Sequence, residues 1–295
     1  MEQDFCAYTP KTMIRYRVTK PPHRTNSPLL VFLHYWGGSW YTWHKLTSLG
    51  SSVSLCKQYP MASIDFRGWG SSKGPANGAT AADYSISPLA SDVVTVLGRL
   101  KSDQPILLEH GFVLVGHSMG AKVALMTLSI LPDDLRALIK GLVLVAPAPP
   151  TALVLPPEMA EQQQRAYDTK ESVTWTIRNV LANPEKLTEM DLDILVKDSL
   201  LGETLAKDGW LKHGMQEDIL PAMDKVCSAI DIGRMKISVL AGELDVVEDK
   251  DKVEREVVRP LIARGFLVTF KVIEGVKHLI PLEDPDATID AIQSM

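Results

Sequence analysis

The sequence predicts an α/β fold: a doubly wound, mostly parallel sheet with a helical cap inserted between two late core strands. Short apolar runs typical of strands buried on both faces alternate along the chain with longer helical patterns. The connection from Pro147 to Lys236 is much longer than a plain crossover between strands requires. We therefore expect a core of residues 1–147 and 236–295, and a cap of residues 148–235 over the carboxyl ends of the strands.

The predicted strands follow two patterns. Residues 13–18 alternate apolar and polar side chains, which predicts an edge strand. The other strand candidates are nearly continuous apolar runs, as expected for the buried strands of a parallel sheet. They cover residues 29–33, 61–66, 112–115, 142–145, 237–240 and 266–273.

The predicted helices lie between these strands and within the cap. Ser87 has the side chain of an N-cap for the first long helix, and Pro132 ends the second. Core helices are expected at residues 88–100, 121–131, 249–263 and 286–295, and cap helices at 158–167, 172–181 and 191–200.

The composition argues against several classes of protein. The net charge is −5 and no long basic run is present, so nucleic acid is not an expected partner. The scattered cysteines, Cys6, Cys56 and Cys227, suit a reducing compartment better than a disulfide framework. Because the sequence shows neither a signal peptide nor an apolar run of about 18 residues, we expect a cytoplasmic protein without a membrane partner. No H-E-x-x-H or C-x-x-C motif is present, so no metal is expected, and the oligomeric state is left open.

The most informative motif is Gly116-His117-Ser118-Met119-Gly120, which lies between a predicted strand and a predicted helix. A G-x-S-x-G sequence in this context predicts a sharp turn that presents the serine at the end of a central strand. The flanking glycines allow the strand and the helix to approach each other closely. We therefore expect Ser118 to be a nucleophile, and the Met119 N–H at the helix N-terminus to bind developing negative charge.

A serine nucleophile needs a base, and the base needs a carboxylate that orients it. In this order of motifs the acid follows a later strand and the histidine comes last. Asp245 follows the predicted strand 237–240 and is the expected acid, with Glu243 and Asp249 as alternatives. His278 is the only histidine after Asp245, and we expect it to be the general base. His117 lies beside the nucleophile and is expected to have a packing role.

The loop after the strand 29–33 is expected to complete an oxyanion hole. It reads His34-Tyr35-Trp36-Gly37-Gly38-Ser39, and the backbone N–H of Trp36 is the best candidate for the second donor. Tyr35, His34 and Trp175 are candidate substrate-pocket residues, while Trp40 and Trp43 can line the pocket or pack between cap and core. Asp65 and Arg67 are expected to hold loops in place, through a buried ion pair or a network anchored to the backbone, rather than to act in catalysis.

Together these residues resemble those of the α/β-hydrolase-fold serine hydrolases, in particular the esterase, perhydrolase and aminopeptidase-like branch with a helical cap. The resemblance covers nearly the whole chain. It implies Ser118 as nucleophile, Asp245 as acid and His278 as base, with Trp36 and Met119 as oxyanion donors. It is carried by residues 29–34, 65–70, 116–120 and 275–278.

Two positions bear on this resemblance. His34 is followed by Tyr35, where relatives usually have glycine. Relatives that open epoxides or displace halides use an aspartate nucleophile, so Ser118 argues against both of these chemistries.

The expected function is hydrolysis of a carboxylic ester of a small molecule through a Ser-His-Asp triad and an acyl-enzyme, without metal or organic cofactor. The same machinery is compatible with lactone, thioester, carbon–carbon or peptide bond hydrolysis and with perhydrolysis. A ligand-binding, receptor-like protein with slow turnover is the alternative from a different class.

Overall fold

The computed structural model describes residues 2–9, 11–227 and 235–295. Within this part of the chain, an eight-stranded sheet has the order β1-β2-β4-β3-β5-β6-β7-β8. The strands are β1 (Glu2–Tyr8), β2 (Met13–Thr19), β3 (Leu29–Leu33), β4 (Met61–Ile64), β5 (Phe112–His117), β6 (Ile139–Val145), β7 (Lys236–Gly242) and β8 (Leu267–Ile273).

The sheet is parallel from β4 to β8 and antiparallel at its start. β2 pairs antiparallel with both β1 and β4, and every other pair is parallel. In the centre, Leu33 of β3 lies opposite Gly116 of β5, and Val145 of β6 lies opposite His117. The carboxyl ends of these strands therefore meet at one edge of the sheet, where the loops that follow them are brought together.

The prediction that residues 13–18 form an edge strand is wrong in one respect. They do form β2, but β1 pairs along its whole length and forms the edge instead. The sequence of β1 gave no signal because most of its side chains are exposed, and Glu2, Gln3 and Asp4 supply no apolar face. Its pairing is decided by the neighbouring strand rather than by burial of its own residues.

The helices alternate with the strands and fill the long insertion. Three of the described helices continue into a π-helical turn, at Ile177–Leu181, Trp210–Gly214 and Glu254–Val258. The first two turns lie in the inserted segment, and the third lies near the carboxyl end. The α-helices are α1 (His44–Thr47), α2 (Ile86–Asp103), α3 (Met119–Ile130), α4 (Asp133–Arg136), α5 (Pro157–Arg165), α6 (Lys170–Thr176), α7 (Glu189–Leu201), α8 (Thr204–Gly209), α9 (Leu220–Cys227), α10 (Lys250–Val253), α11 (Arg259–Ala263), α12 (Ile280–Glu283) and α13 (Pro285–Gln293).

The start of α2 differs from the predicted start. Ser85, rather than Ser87, occupies the N-cap position. The carboxylate of Glu217 accepts hydrogen bonds from the backbone N–H groups of Ile86 at 2.9 Å and Ser87 at 3.2 Å. These N–H groups belong to the helix N-terminus that a cap normally satisfies. A side chain more than a hundred residues away therefore does the capping, and no local pattern could indicate it.

The inserted segment, which we define as residues 148–227, contacts the core at both of its ends. Its last helix, α9, packs against α3 beneath the turn that carries Ser118. The Lys122 ammonium of α3 is buried and donates to the carbonyl of Thr151 at 3.0 Å. Within the described ranges, none of the helices has both the length and the apolar character needed to cross a bilayer.

The inserted segment also covers the loop that follows β3. The Tyr167 hydroxyl donates to the Trp36 carbonyl at 2.9 Å, and the Ser199 hydroxyl donates to the Gly37 carbonyl at 3.0 Å. The indole N–H of Trp36 donates in turn to the Lys207 carbonyl at 3.2 Å. These contacts hold Tyr167, Ser199 of α7 and Lys207 of α8 against the loop at the carboxyl edge of the sheet.

Candidate active site

The turn between β5 and α3 holds Ser118 in a strained conformation. Ser118 has φ 54° and ψ −115°, in a region that residues with a Cβ rarely adopt. Such a conformation costs on the order of 1–3 kcal/mol and persists only where the surroundings impose it. A Cβ on Gly116 would lie 2.4 Å from the Gly120 carbonyl oxygen, and one on Gly120 would lie 2.3 Å from that of Leu33. Gly116 is therefore required for β5 to meet α3, and Gly120 for α3 to approach the end of β3.

Asp245 and His278 form a hydrogen-bonded pair at the ends of β7 and β8. The Nδ1 atom of His278 lies 2.8 Å from the Oδ2 atom of Asp245, and both side chains are almost fully buried. The other oxygen, Oδ1, accepts from the backbone N–H groups of Val247 at 2.8 Å and Glu248 at 3.1 Å. The carboxylate is thus held from two sides, and it can orient the imidazole.

Burial and charge act in opposite directions on this pair. Burial tends to raise the pKa of Asp245, but the His278 ring and the two backbone N–H groups lower it below its ordinary value. Burial tends to lower the pKa of His278, but the Asp245 carboxylate raises it above the ordinary 6.5. A histidine shifted in this direction is a stronger base than a free imidazole.

Ser118 and His278 line the same cavity. It has a volume of about 100 Å³ and is bordered mainly by apolar and aromatic side chains. Within the described part of the chain, no hydrogen bond joins the Ser118 hydroxyl to the His278 ring. Such contacts are often long in ligand-free sites and shorten when substrate binds.

The backbone N–H groups of Met119 and Trp36 lie at the start of α3 and in the loop after β3. Neither donates a hydrogen bond to a described residue. Because buried N–H groups are rarely left unpaired, two such donors near Ser118 fit an oxyanion hole.

The comparisons with known proteins show the family of this chain and its fold. A family model described as the alpha/beta hydrolase family matches residues 30–291. The chain belongs to the alpha/beta hydrolase family. Epoxide hydrolase B of Mycobacterium tuberculosis is 35% identical over 111 residues, which are 37% of this chain and only 27% of that protein.

Solved structures show the same fold at low identity. An esterase from Exiguobacterium antarcticum is 18% identical over 96% of this chain and 95% of its own, with a TM-score of 0.73. An enol-lactonase from Burkholderia xenovorans LB400 is 16% identical over 96% of this chain and 97% of its own, with a TM-score of 0.70. At these identities the likeness establishes the fold of this alpha/beta hydrolase.

Of the predicted pocket residues, the structure places Tyr35 on the cavity but not His34. The His34 ring is fully buried behind the loop, where Nε2 accepts from the Phe66 N–H at 3.0 Å and Nδ1 faces the Tyr35 carbonyl at 2.7 Å. Burial lowers the pKa of His34 to about 4, so the ring is neutral and serves as a brace between two loops.

Trp175 also lies outside the cavity in this alpha/beta hydrolase. It lies in α6 and is 51% exposed, whereas its neighbours Val173, Thr176 and Ile177 are buried. The helix turns these neighbours inward, so Trp175 points to solvent. Trp40 and Trp43 pack rather than line the cavity: Trp43 contacts Phe32 with ring centroids 5.0 Å apart, and Trp40 stacks on Tyr41 at 3.9 Å.

Asp65 and Arg67 hold loops in place, as the sequence predicts. Asp65 accepts from the backbone N–H groups of Trp40 at 2.8 Å and Ser71 at 2.9 Å. Arg67 pairs with Asp92 through two hydrogen bonds of 2.6 and 2.7 Å. The two residues therefore act separately and do not form an ion pair with each other.

Several residues that line the cavity were not predicted from the sequence. Tyr167 and Trp210 come from the inserted segment, and the Tyr167 ring stacks on Trp36 with centroids 4.2 Å apart. Their positions depend on how the segment folds over the core, which no local pattern reveals. Glu248 follows Asp245 closely, and this proximity is the one signal that could have singled it out.

Glu248 is a buried carboxylate in the cavity wall. Only 2% of the residue is exposed, and its Oε2 atom accepts from Lys252 Nζ at 2.9 Å. Burial raises the pKa of Glu248 to about 7, against the opposing effect of Lys252. Among the described residues, no group of three or more histidine, cysteine, aspartate or glutamate side chains could hold a metal ion.

Proposed function

We propose that this alpha/beta hydrolase is a serine hydrolase that cleaves carboxylic esters of small molecules through an acyl-enzyme intermediate. The observation that carries the proposal is the position of Ser118. It is held in a strained turn on the same cavity as His278, whose imidazole is oriented by Asp245. This geometry supports the roles of nucleophile, base and orienting acid that we assign to these three residues.

The proposed reaction begins with attack of Ser118 Oγ on the ester carbonyl. His278 accepts the hydroxyl proton at Nε2, because its Nδ1 atom faces Asp245. The negative charge on the carbonyl oxygen is stabilised by the N–H groups of Met119 and Trp36. The tetrahedral intermediate then expels the alcohol, which takes the proton from His278. Water, activated by the same imidazole, cleaves the acyl-enzyme and restores Ser118.

The volume and the lining of the cavity favour an ester substrate with a small acyl group. Its volume of about 100 Å³ is below the roughly 150 Å³ of an engineered cavity that holds benzene. Leu153, Val180, Leu181 and Trp210 give it an apolar wall. An acyl chain of a few carbons fits this space and is dehydrated on binding.

Chemistry favours esters over epoxides as substrates. Attack of a serine alkoxide on an epoxide forms an ether, which has no carbonyl that water can attack, so the enzyme would not turn over. Attack on an ester forms an acyl-serine, which is itself an ester and can be hydrolysed. Lactones are cyclic esters and remain within the proposed chemistry.

A covalent probe tests the proposal directly. The protein is incubated with a small fluorophosphonate, and the labelled residue is located by mass spectrometry, with Ser118→Ala as the control. We expect one adduct, on Ser118, and hydrolysis of 4-nitrophenyl acetate that the variant loses. Absence of the adduct, or full esterase activity in Ser118→Ala, would refute the proposal.

Chain length provides the second part of the test. The rate of hydrolysis is compared for 4-nitrophenyl acetate, butanoate and octanoate. A fall in kcat/KM from butanoate to octanoate is expected from the cavity volume. Equal rates would contradict the assignment of this cavity to the acyl group.

A further inference from the structure

The proposed Ser-His-Asp triad does not explain why Glu248 lies in the cavity wall. Glu248 follows the loop that carries Asp245, and it lines the cavity together with Ser118 and His278. Among the described residues that border this cavity, it is the only carboxylate. The remaining wall is largely apolar, so a buried carboxylate here carries a cost that needs a compensating contact.

The described protein groups offset only part of the free-energy cost of burying the Glu248 carboxylate. The Oε2 atom of Glu248 accepts from Lys252, one turn away on α10, at 2.9 Å. Among the described residues, no hydrogen bond is found to its second oxygen, Oε1. A carboxylate can accept several hydrogen bonds, so Oε1 retains the capacity to accept from a ligand.

Glu248 is not needed to cap the neighbouring helix. Asp249 is the N-cap of α10, and its side chain accepts from the backbone N–H groups of Asp251 at 3.0 Å and Lys252 at 3.2 Å. The helix N-terminus is therefore satisfied without Glu248. A purely structural role would rest on the single contact to Lys252, whose side chain is 21% exposed.

The charges around Glu248 indicate which kind of substrate group can donate a hydrogen bond to its carboxylate. Lys252 is paired with Glu248, and the Asp245 carboxylate is held by the His278 ring and two backbone N–H groups. Lys122 on α3 contributes a more distant positive charge. An ammonium group in the substrate would have to lose its hydration in a largely apolar cavity, which costs far more than the desolvation of a neutral hydroxyl group.

We infer that Glu248 is a substrate-binding residue whose free carboxylate oxygen accepts a hydrogen bond from a hydroxyl group of the ester. This inference rests on the proposed function and specifies its substrate class: small hydroxy esters. A site with a buried acceptor discriminates against analogues that lack the donor, because the acceptor is then left unpaired.

Pairs of esters that differ in one group test the inference. Methyl glycolate is compared with methyl propanoate, methyl 3-hydroxybutanoate with methyl 3-methylbutanoate, and 2-hydroxyethyl acetate with propyl acetate. In each pair a methyl group replaces the hydroxyl at nearly constant size. The comparison is made above pH 7, because burial raises the pKa of Glu248 to about 7 and only the ionised group has two acceptor oxygens. Under these conditions we expect the wild-type protein to favour the hydroxy ester of at least one pair by about 10- to 100-fold in kcat/KM.

Three variants separate hydrogen bonding from the ion pair. Glu248→Met removes the acceptor at similar length and is expected to abolish the preference. Glu248→Gln keeps a carbonyl oxygen and should restore part of it. Lys252→Met removes the ion pair and raises the pKa of Glu248 further, because Lys252 lowers that pKa in the wild type. The preference should therefore persist in Lys252→Met but appear at a higher pH than in the wild type.

The outcomes distinguish this inference from the proposed function. If Glu248→Met hydrolyses the plain ester of each pair and keeps the Ser118 adduct, loss of the hydroxyl preference supports the inference. An unchanged preference in Glu248→Met, an equal loss in Lys252→Met at every pH measured, or no preference in the wild type overturns it while the hydrolase proposal stands. Affinities of the same esters for Ser118→Ala, measured by NMR titration, give a readout that does not depend on turnover, and equal affinities within every pair also overturn it.

Discussion

Replacement of Asp245 by asparagine is the perturbation whose effect the structure defines most closely. The Oδ1 atom of Asp245 accepts from the backbone N–H groups of Val247 and Glu248, and Oδ2 lies against the His278 ring. An asparagine in the same rotamer must keep its carbonyl oxygen on the two N–H donors. Its NH₂ group then faces Nδ1 of His278.

This orientation forces the histidine into the wrong tautomer. Two donors cannot face each other, so Nδ1 must become the acceptor and the ring proton moves to Nε2. The Nε2 atom then cannot take the Ser118 proton. Loss of the carboxylate in a serine triad lowers kcat by about 10⁴-fold, or about 5.4 kcal/mol. We expect a loss of this size for Asp245→Asn.

The assay is hydrolysis of 4-nitrophenyl acetate, with kcat/KM measured for the wild type and for Asp245→Asn. Glu243→Gln is the matched control, because Glu243 also follows β7 but accepts only from the Gly275 N–H at 2.9 Å. The control should stay within a few-fold of the wild type. More than a tenth of the activity in Asp245→Asn, or an equal loss in Glu243→Gln, would refute the reasoning.

Further predictions concern the turn, the inserted segment and pH. Gly120→Ala places a Cβ 2.3 Å from the Leu33 carbonyl oxygen and should lower the free energy of unfolding by about 3 kcal/mol, measured by urea denaturation; an unchanged midpoint would contradict this. Tyr167→Phe removes the hydrogen bond to the Trp36 carbonyl and should cost about 1 kcal/mol in kcat/KM, which an unaltered value would exclude. Because His278 must be neutral to act as base and its pKa is raised above 6.5, kcat/KM should rise with pH through a midpoint above 6.5, and a midpoint below that value would count against the assignment.

The strands and the turn that carries Ser118 could be predicted because the sequence patterns that indicate them are local. A run such as Leu29–Leu33 is apolar throughout because the strand is buried on both faces, and the sequence shows this directly. The first glycine of the Gly-x-Ser-x-Gly pattern reflects a steric limit within the turn itself, since a Cβ on Gly116 would meet the Gly120 carbonyl oxygen. Asp245 and His278 could be predicted to lie together because each follows a parallel strand, and such strands bring their carboxyl ends to one edge of the sheet.

Residues whose position depends on distant contacts could not be predicted. The helix α2 starts at Ile86 because Glu217 reaches it from the inserted segment. His34 is turned inward by its hydrogen bond from Phe66, and Trp175 is turned outward by the packing of α6. In each case the residue type allowed several roles, and the neighbours selected one.

The sequence by itself determined the α/β architecture, the strained serine turn and the order in which acid and histidine follow it, since each of these rests on local sterics or on the direction of parallel strands. The tertiary structure alone decided the shape of the cavity. Tyr167 and Trp210 reach it through the fold of the inserted segment, and the carboxylate of Glu248 enters its wall because the loop after β7 closes over the site. Packing between segments far apart in the chain carries no signature in either segment alone.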